Sequence, residues 1–417
     1  MRDSIKVLQI NVCLNVLSTG RITEQIGLKI KERGWESFVL TYGPVKNSQS
    51  HVIKVAGWLG RCIHRGVNRF LDVQGYGSYF ATKTALKKIK EIDPDIIHLH
   101  NIHDCWLNHK LLFDYIRKAN KPVVWTFHDC WAFTGHCAYF DDVDCVRWKS
   151  GCYDCPLKNS LSLDLSNFNY RKKKEMFCGV NDMTIIPVSY WLGEITKNSF
   201  FGNCNVITIH NGIDIHSFKP RESNLRETLS IGKKFVLLGV SACWGASKGL
   251  YDFVKLSKDP NYVVILIGLP KKLESAMPPQ VVAIERTDSQ EQLAEYYTMA
   301  DVFVNPTYHD NYPTVNLEAI ACGTPMVGYN TGGSPEALYV EKDGGYELDK
   351  QCGIVVEKGD FEALHAAIEM LRLEDDEKRS ARRIACRNMA EKYFDKDKCY
   401  ERYIEIYNNL INSNNEE

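Results

Sequence analysis

Residues 310–328, DNYPTVNLEAIACGTPMVG, carry the densest chemistry in the chain. Two carboxylates, Asp310 and Glu318, bracket a short loop. The loop feeds an apolar helical pattern with Pro313 near its start. Cys322-Gly323-Thr324-Pro325 stops that helix, and a strand pattern follows. The first turn of a helix has backbone N–H groups without intrahelical partners and the positive end of the dipole. Both favour an anion such as a diphosphate. Carboxylates nearby suit sugar hydroxyls better than phosphate. Phosphate in the middle with hydroxyls at both ends describes a nucleotide sugar. An ordinary acidic helix start gives the same local pattern, so the surrounding elements must decide.

Other residues add to the case singly and weakly. Lys248-Gly249 follows an apolar strand pattern and opens a helix, which suits a point charge against a diphosphate. An isolated surface lysine would look the same. His128-Asp129 ends a strand, where a histidine either donates to or orients a reacting hydroxyl or phosphate, or caps the strand. Asn211-Gly212-Ile213-Asp214 reads as a turn at a domain junction. The first strand–helix turn, NVLSTGRITEQ, has only Gly20 and lacks the dinucleotide fingerprint, which disfavours a nicotinamide dehydrogenase. Asp142-Val143-Asp144 has the Asp-x-Asp form of a divalent-metal motif but lies inside a cysteine-rich loop, so that reading is set aside.

The elements that must position these residues form two series. Strands are predicted over Lys6–Val12, Ser37–Thr41, Asp95–His100, Val123–His128, Thr184–Ser189 and Val206–His210. A second series covers Phe235–Ser241, Val263–Gly268, Val281–Glu285, Val302–Pro306, Pro325–Tyr329 and Gly353–Val356. Helical patterns lie between them, among them Ala81–Ile92, Gln290–Ala300 and Phe361–Leu371. Runs such as VVILIG are apolar on both faces, as central parallel strands are. Alternating β and α units give parallel sheets with right-handed crossovers. The expected fold is α/β with two doubly wound Rossmann-like domains. Residues 1–215 form the first, with a cysteine-rich loop at 130–157, and residues 216–394 the second. Residues 395–417 are expected as a helix packing back on the first domain. In such sheets ligands bind beyond the carboxyl ends of the strands. Ser18–Gly20, His128–Asp129, Ser241–Gly249 and Asp310–Thr314 all sit at such ends, and two facing domains would place them around one cleft.

Length and composition agree with this. The 417 residues suffice for two cores, 44% of them are hydrophobic, and the net charge is −1. That balance gives no reason to expect nucleic-acid binding. No apolar run reaches membrane-spanning length. The start, MRDSIKVLQINVCLN, is interrupted by Gln9, Asn11 and Asn15 and reads as a buried strand, so a cytoplasmic protein is expected. The 15 cysteines are odd in number and scattered, which argues against a full disulfide framework.

With these residues in place, the chain resembles the retaining glycosyltransferases of family 4, bacterial surface-polysaccharide type, with the two-Rossmann-domain B-type fold. The resemblance covers most of the length. It is strongest in SACWGASKGLYDF, LAEYYTMADVFVNPT and DNYPTVNLEAIACGTPMVGYNTGGSPE. It implies that Glu318 holds the ribose hydroxyls, that Asp310 touches the donor sugar, and that Asn311, Tyr312, Pro313 and Thr314 offer mainly backbone atoms. Lys248 matches the diphosphate-clamping lysine, with Gly20 and Ser241 counted among the donor contacts. His128 matches the histidine near the reacting centre. The family pattern has Glu where this chain has Asp310. Its arginine a few residues before the lysine is absent, with Ser241 and Ala242 nearby. The implied reaction retains anomeric configuration without an essential metal. The leaving diphosphate helps deprotonate the acceptor hydroxyl, and the donor is UDP- or GDP-linked. The base pocket is expected near Ala283–Arg286.

Five cysteines, Cys130, Cys137, Cys145, Cys152 and Cys155, crowd the segment after His128. Cys152-Tyr-Asp-Cys155 has the two-residue spacing of one edge of a tetrahedral thiolate site. The expectation is a structural zinc on Cys137, Cys145, Cys152 and Cys155, beside an acceptor pocket. An iron–sulfur cluster, a disulfide or buried free thiols remain alternatives. Trp58–Leu71, WLGRCIHRGVNRFL, mixes apolar and basic residues at rough helical spacing and suits either peripheral contact with an anionic membrane face or a solvated helix face. The run Arg171-Lys172-Lys173-Lys174 reads as a solvated helix face.

The leading functional expectation is sugar transfer to a hydroxyl of a polysaccharide or lipid-linked saccharide. A sugar-nucleotide epimerase or a phosphorylase shares the architecture, though no lysine stands out as a pyridoxal-phosphate carrier. A non-catalytic nucleotide-sugar binder or scaffold is the alternative of another class.

Overall fold

The computed structural model describes residues 4–55, 57–158, 160–342 and 345–416, with the side chains of residues 414–416 left out of the description. The chain divides into two compact units, residues 1–210 with 400–417, and residues 211–399.

The first unit is built on a seven-stranded sheet. Its order is His51–Lys54, Glu36–Thr41, Lys6–Ile10, Ile96–Leu99, Val123–Phe127, Met183–Pro187 and Asn205–Val206. Every pairing is parallel. The second unit has a six-stranded sheet in the order Val281–Ile284, Tyr262–Ile267, Phe235–Val240, Val302–Asn305, Met326–Tyr329 and Gly353–Val356, again all parallel. Helices make most of the parallel crossovers, the exceptions being the connections from Glu36–Thr41 to His51–Lys54 and from Met326–Tyr329 to Gly353–Val356. Val236, Leu237, Leu238, Val264, Ile265 and Leu266 are fully buried, which explains why the central strands read as unbroken apolar runs. The two doubly wound α/β units expected from the sequence are therefore present.

The differences lie at edges and ends. His51–Lys54 is an edge strand with mostly exposed residues and no apolar run to betray it. The antiparallel pair Tyr339–Lys342 and Gly345–Leu348 is equally polar. The predicted strand Val206–His210 shrinks to Asn205–Val206. Its continuation still follows its neighbour, with Ile207 N–H donating to Ile185 O and Ile209 N–H to Pro187 O. Ser241, Gly268, Glu285 and Pro306 fall just past their strands, in the loops that carry the chemistry.

The last helix, Lys396–Glu416, crosses back as expected. From Tyr400 onward it belongs to the first unit. Tyr400, Tyr403 and Tyr407 are buried there. The Tyr407 hydroxyl lies 2.6 Å from His98 Nδ1 and the Tyr403 hydroxyl 3.3 Å from Thr126 Oγ1. Asn211–Asp214 is more than a turn. Ile213 N–H donates to Phe394 O, Lys396 N–H to Ile213 O, and the Lys396 ammonium to Asp214 at 2.6 Å.

Candidate functional site

Three adjacent strands of the second unit, Phe235–Val240, Val302–Asn305 and Met326–Tyr329, release their loops at the same sheet edge. The first loop turns through Ala246–Lys248 into the helix Leu250–Leu256. Gly249 sits at φ +66°, where a side chain would strain the backbone, and a Cβ there would meet Pro306 O at 2.3 Å. That close approach lets the second loop lie on the first. Tyr308 N–H donates to Ser247 O at 2.9 Å, and the Thr307 hydroxyl to the same carbonyl at 3.2 Å. The third loop joins through Gly333 N–H, which donates to Asp310 O at 3.3 Å.

Lys248 occupies the middle of this knot. Its ammonium lies 2.6 Å from Asp310 Oδ2, 3.3 Å from His309 O and 3.4 Å from Thr307 Oγ1. The structure thus brings Lys248 and Asp310, 62 residues apart, into one ion pair. Pro313 is the N-cap of the helix Thr314–Ala321, in extended conformation, and no side chain caps that helix. Buried Asn316 holds the first turn in place. It accepts from Asn305 Nδ2 at 2.7 Å and donates to Ser334 O and Oγ at 3.0 and 3.1 Å. Asn311 and Tyr312 are buried in the loop before it. Glu318 is buried one turn further on, and one carboxylate oxygen accepts the Tyr297 hydroxyl at 3.0 Å. The charge of Glu318 adds to burial in pushing the Tyr297 hydroxyl up. Ser241 serves its own loop, its hydroxyl accepting from Cys243 N–H at 3.2 Å.

A support beneath these loops was not legible as a motif. Asp252, buried on the helix after Lys248, accepts the hydroxyls of Tyr308 at 3.1 Å and Tyr329 at 3.3 Å. One carboxylate thereby braces the loop of Lys248's partner and the end of the neighbouring strand.

In the first unit His128 follows Val123–Phe127 and is buried. Its Nε2 lies 3.1 Å from His100 Nδ1, and His100 Nε2 lies 3.0 Å from Gln9 Oε1. Gln9 Nε2 donates to Thr23 O, which fixes Gln9 Oε1 as an acceptor. Neutral His100 therefore donates through Nε2 and accepts at Nδ1, so His128 carries its proton on Nε2. Burial, aided by His103 and opposed by Asp129, pushes the His128 imidazole down to about 4. At neutral pH the ring is therefore uncharged. Gly20 lies inside the first turns of the helix Leu17–Glu32 rather than in a loop, and it is buried against Cys13.

A cavity of about 570 Å³ opens in the same unit, lined by Arg65, Arg69, Gln74, His103, Asp104 and Trp131 among others. Lys173 stands behind Trp131. It is buried rather than solvated, donating to Trp131 O and Thr134 O with its ammonium 3.6 Å from the indole centre. This corrects the reading of a solvated face at Lys173 alone, since Arg171 and Lys174 are exposed and Lys172 half-exposed.

The cysteine-rich loop has only three short 3₁₀ turns, at Trp131–Phe133, Asp141–Val143 and Arg147–Lys149. Cys137, Cys145, Cys152 and Cys155 line one small void of about 10 Å³. The group brought together in this loop differs from the four thiols expected: His136, Cys137 and Cys155 have ligand atoms within 4.8 Å of one another. Sequence reading passed over His136 because no second histidine sits at metal-site spacing.

Two family models match the chain. The one described as Glycosyltransferase Family 4 matches residues 19–217, and the one described as Glycosyl transferases group 1 matches residues 223–389. A protein of Escherichia coli (strain K12) named for colanic acid biosynthesis glycosyl transfer, WcaC, is 24% identical over 381 residues, 83% of this chain and 88% of its own. Among solved structures, sucrose-phosphate synthase from Thermosynechococcus elongatus superposes with a TM-score of 0.74 at 16% identity, covering 98% of this chain and 100% of its own. HepE from Anabaena in complex with UDP-glucose gives 0.66 at 16% identity, covering 97% and 100%. These structures share the two-domain B-type fold.

Proposed function

This chain belongs to glycosyltransferase family 4, and on that premise we propose the reaction it performs. It moves a sugar from a nucleoside-diphosphate sugar to a hydroxyl of a saccharide or lipid-linked saccharide, in polysaccharide biosynthesis, retaining the anomeric configuration. The carrying observation is the loop knot that sets the Lys248 ammonium 2.6 Å from Asp310, at the strand ends that lead into the uncapped helix Thr314–Ala321.

Lys248 and the amides at that helix start stabilise the charge that grows on the leaving diphosphate. Asp310 accepts hydroxyls of the donor sugar. Asn311, Tyr312, Pro313 and Thr314 present backbone, and Ser241 and Gly20 border the donor. Glu318 takes the ribose hydroxyls, a carboxylate having about four acceptor sites. His128 acts from the first unit on the acceptor side. No metal is assigned to the chemical step. The cavity of about 570 Å³ has the size of a ligand site, and Trp131 offers a face for a sugar ring.

HepE is a protein of this fold bound to UDP-glucose, so UDP-sugars are the first donors to try and GDP-sugars the second. We place the protein at the cytoplasmic membrane face. Among the described residues no helix is long and apolar enough to cross a membrane. Trp58, Leu59, Ile63 and Phe70 are exposed on the helix Trp58–Leu71, beside Arg65 and Arg69. The test is turnover of a panel of nucleotide sugars with oligosaccharide and lipid-linked acceptors, read as nucleoside diphosphate released and as product anomer by NMR. A product with retained configuration supports the reading. Binding of donors with no transfer to any acceptor would favour the non-catalytic binder.

A further inference from the structure

We propose that His136, Cys137, Cys152 and Cys155 hold one structural Zn²⁺ that orders the loop between Asp129 and Leu165. Among the described residues, 129–165 run without a strand or an α-helix. A stretch that long inside a compact unit needs a cross-link or a core of its own. Its large buried apolar side chains are the four rings of Trp131, Phe133, Phe140 and Trp148, and none of the segment's aliphatic Val or Leu side chains is buried.

The geometry at the cluster is that of a metal site. His136 Nε2 is 3.1 Å from Cys155 Sγ, and Cys137 Sγ completes a group within 4.8 Å. The other ring nitrogen of His136, Nδ1, is 2.9 Å from Asp72 Oδ2. A carboxylate on the far side of the imidazole fixes which nitrogen faces the sulfurs and raises its basicity, the arrangement that orients metal-ligating histidines. Cys152 and Cys155 form a two-residue-spaced turn in which Cys152 and Asp154 take positive φ values of 45° and 42°. Gly135 N–H donates to Cys152 Sγ at 3.2 Å, as a backbone amide does to a thiolate. The residues come from two arms of the loop, 136–137 and 152–155, so one ion ties both together.

Zinc suits a set of one imidazole and three thiolates. Binding replaces the three thiol protons, which leave to solvent, and nothing is oxidised or reduced. Cys145 lines the same void and is assigned no bond to the metal. His136 and Leu157 also line the cavity of about 570 Å³, so the ion stiffens one wall of it.

The test uses the purified full chain. Elemental analysis is expected to give close to one zinc per chain, and Co²⁺ replacement a thiolate-to-cobalt charge-transfer band with tetrahedral ligand-field bands. Competition with a chromophoric chelator is expected to show at least tenfold weaker zinc binding for Cys155→Ser and His136→Ala. Asp72→Asn should weaken it about 10- to 100-fold, and Cys145→Ser should leave it unchanged. Metal-free protein carrying a Cys137–Cys155 disulfide or free thiols would overturn the site. Loss of zinc in Cys145→Ser with retention in His136→Ala would overturn the ligand set in favour of four thiolates.

Discussion

Lys248 is the residue on which the proposed chemistry turns most directly. Lys248→Ala removes the charge that faces the diphosphate while leaving the apolar core of its unit untouched. The expected result is a loss of kcat of at least 100-fold, a stabilisation of about 3 kcal/mol forgone, with the melting temperature changed by only a few degrees. Normal turnover would take Lys248 out of the mechanism. Asp252 predicts a subtler effect. Tyr308→Phe deletes one hydroxyl that it accepts at 3.1 Å, which should cost about 1 kcal/mol of stability and raise KM for donor more than it lowers kcat. An unchanged KM would show that the brace does not position the loop. Asp310 and Lys248 were singled out because each follows the end of a predicted strand, and Glu318 because it stands eight residues after Asp310 in the pattern that carries the family resemblance. Asp252 and His136 were not, because their partners lie 56 and 77 residues away in the first case and 64 in the second. Only folding reveals such pairings.

Two elements carry predictions of their own. At Gly249 the positive φ and the approach to Pro306 O leave no room for a methyl group. Gly249→Ala should cost about 1–2 kcal/mol in backbone strain alone and should depress transfer as Lys248 is displaced. Wild-type stability and rate in that variant would refute the packing argument. The helix Trp58–Leu71 leaves Trp58 71% and Ile63 60% exposed, an apolar face with no covering element among the described residues. Sedimentation with anionic vesicles should capture the protein, and Trp58→Glu with Ile63→Glu should abolish capture; equal partition onto neutral vesicles would remove the electrostatic part of the proposal. The strands of both sheets were legible because central parallel strands are apolar on both faces. The edge strand His51–Lys54 and the antiparallel pair Tyr339–Lys342 and Gly345–Leu348 escaped because exposed strands need no apolar pattern. The helix Lys396–Glu416 was legible through its buried tyrosines.

At the scale of the whole molecule, the two units should respond differently to acid. His64, His98, His100, His109 and His128 all lie in the first unit, and burial pushes each imidazole below its ordinary value, to about 4 for His64 and His128 and about 3 for His109. Each must stay neutral in the folded state while its unfolded counterpart binds a proton below about 6.5. Their contribution is therefore complete above pH 6.5. It is lost as pH falls toward 4, by about 1.4 kcal/mol per pH unit for each group that titrates only when unfolded. Urea melts from pH 7.5 to 5 should show the first unit's transition moving to lower denaturant. Midpoints that hold constant across that range would mean these histidines are already charged or solvated. The two α/β units themselves followed from the alternation of strand and helix patterns along the chain.

The central claim is that a donor diphosphate lies on the loops of the second unit around Lys248 and the helix start at Thr314. Hydrogen–deuterium exchange with and without UDP, and then GDP, locates the binding surface directly. Slowed exchange concentrated in peptides covering 241–250 and 306–318 is the predicted result. Saturating nucleotide that protects other segments and leaves those two unchanged would contradict it.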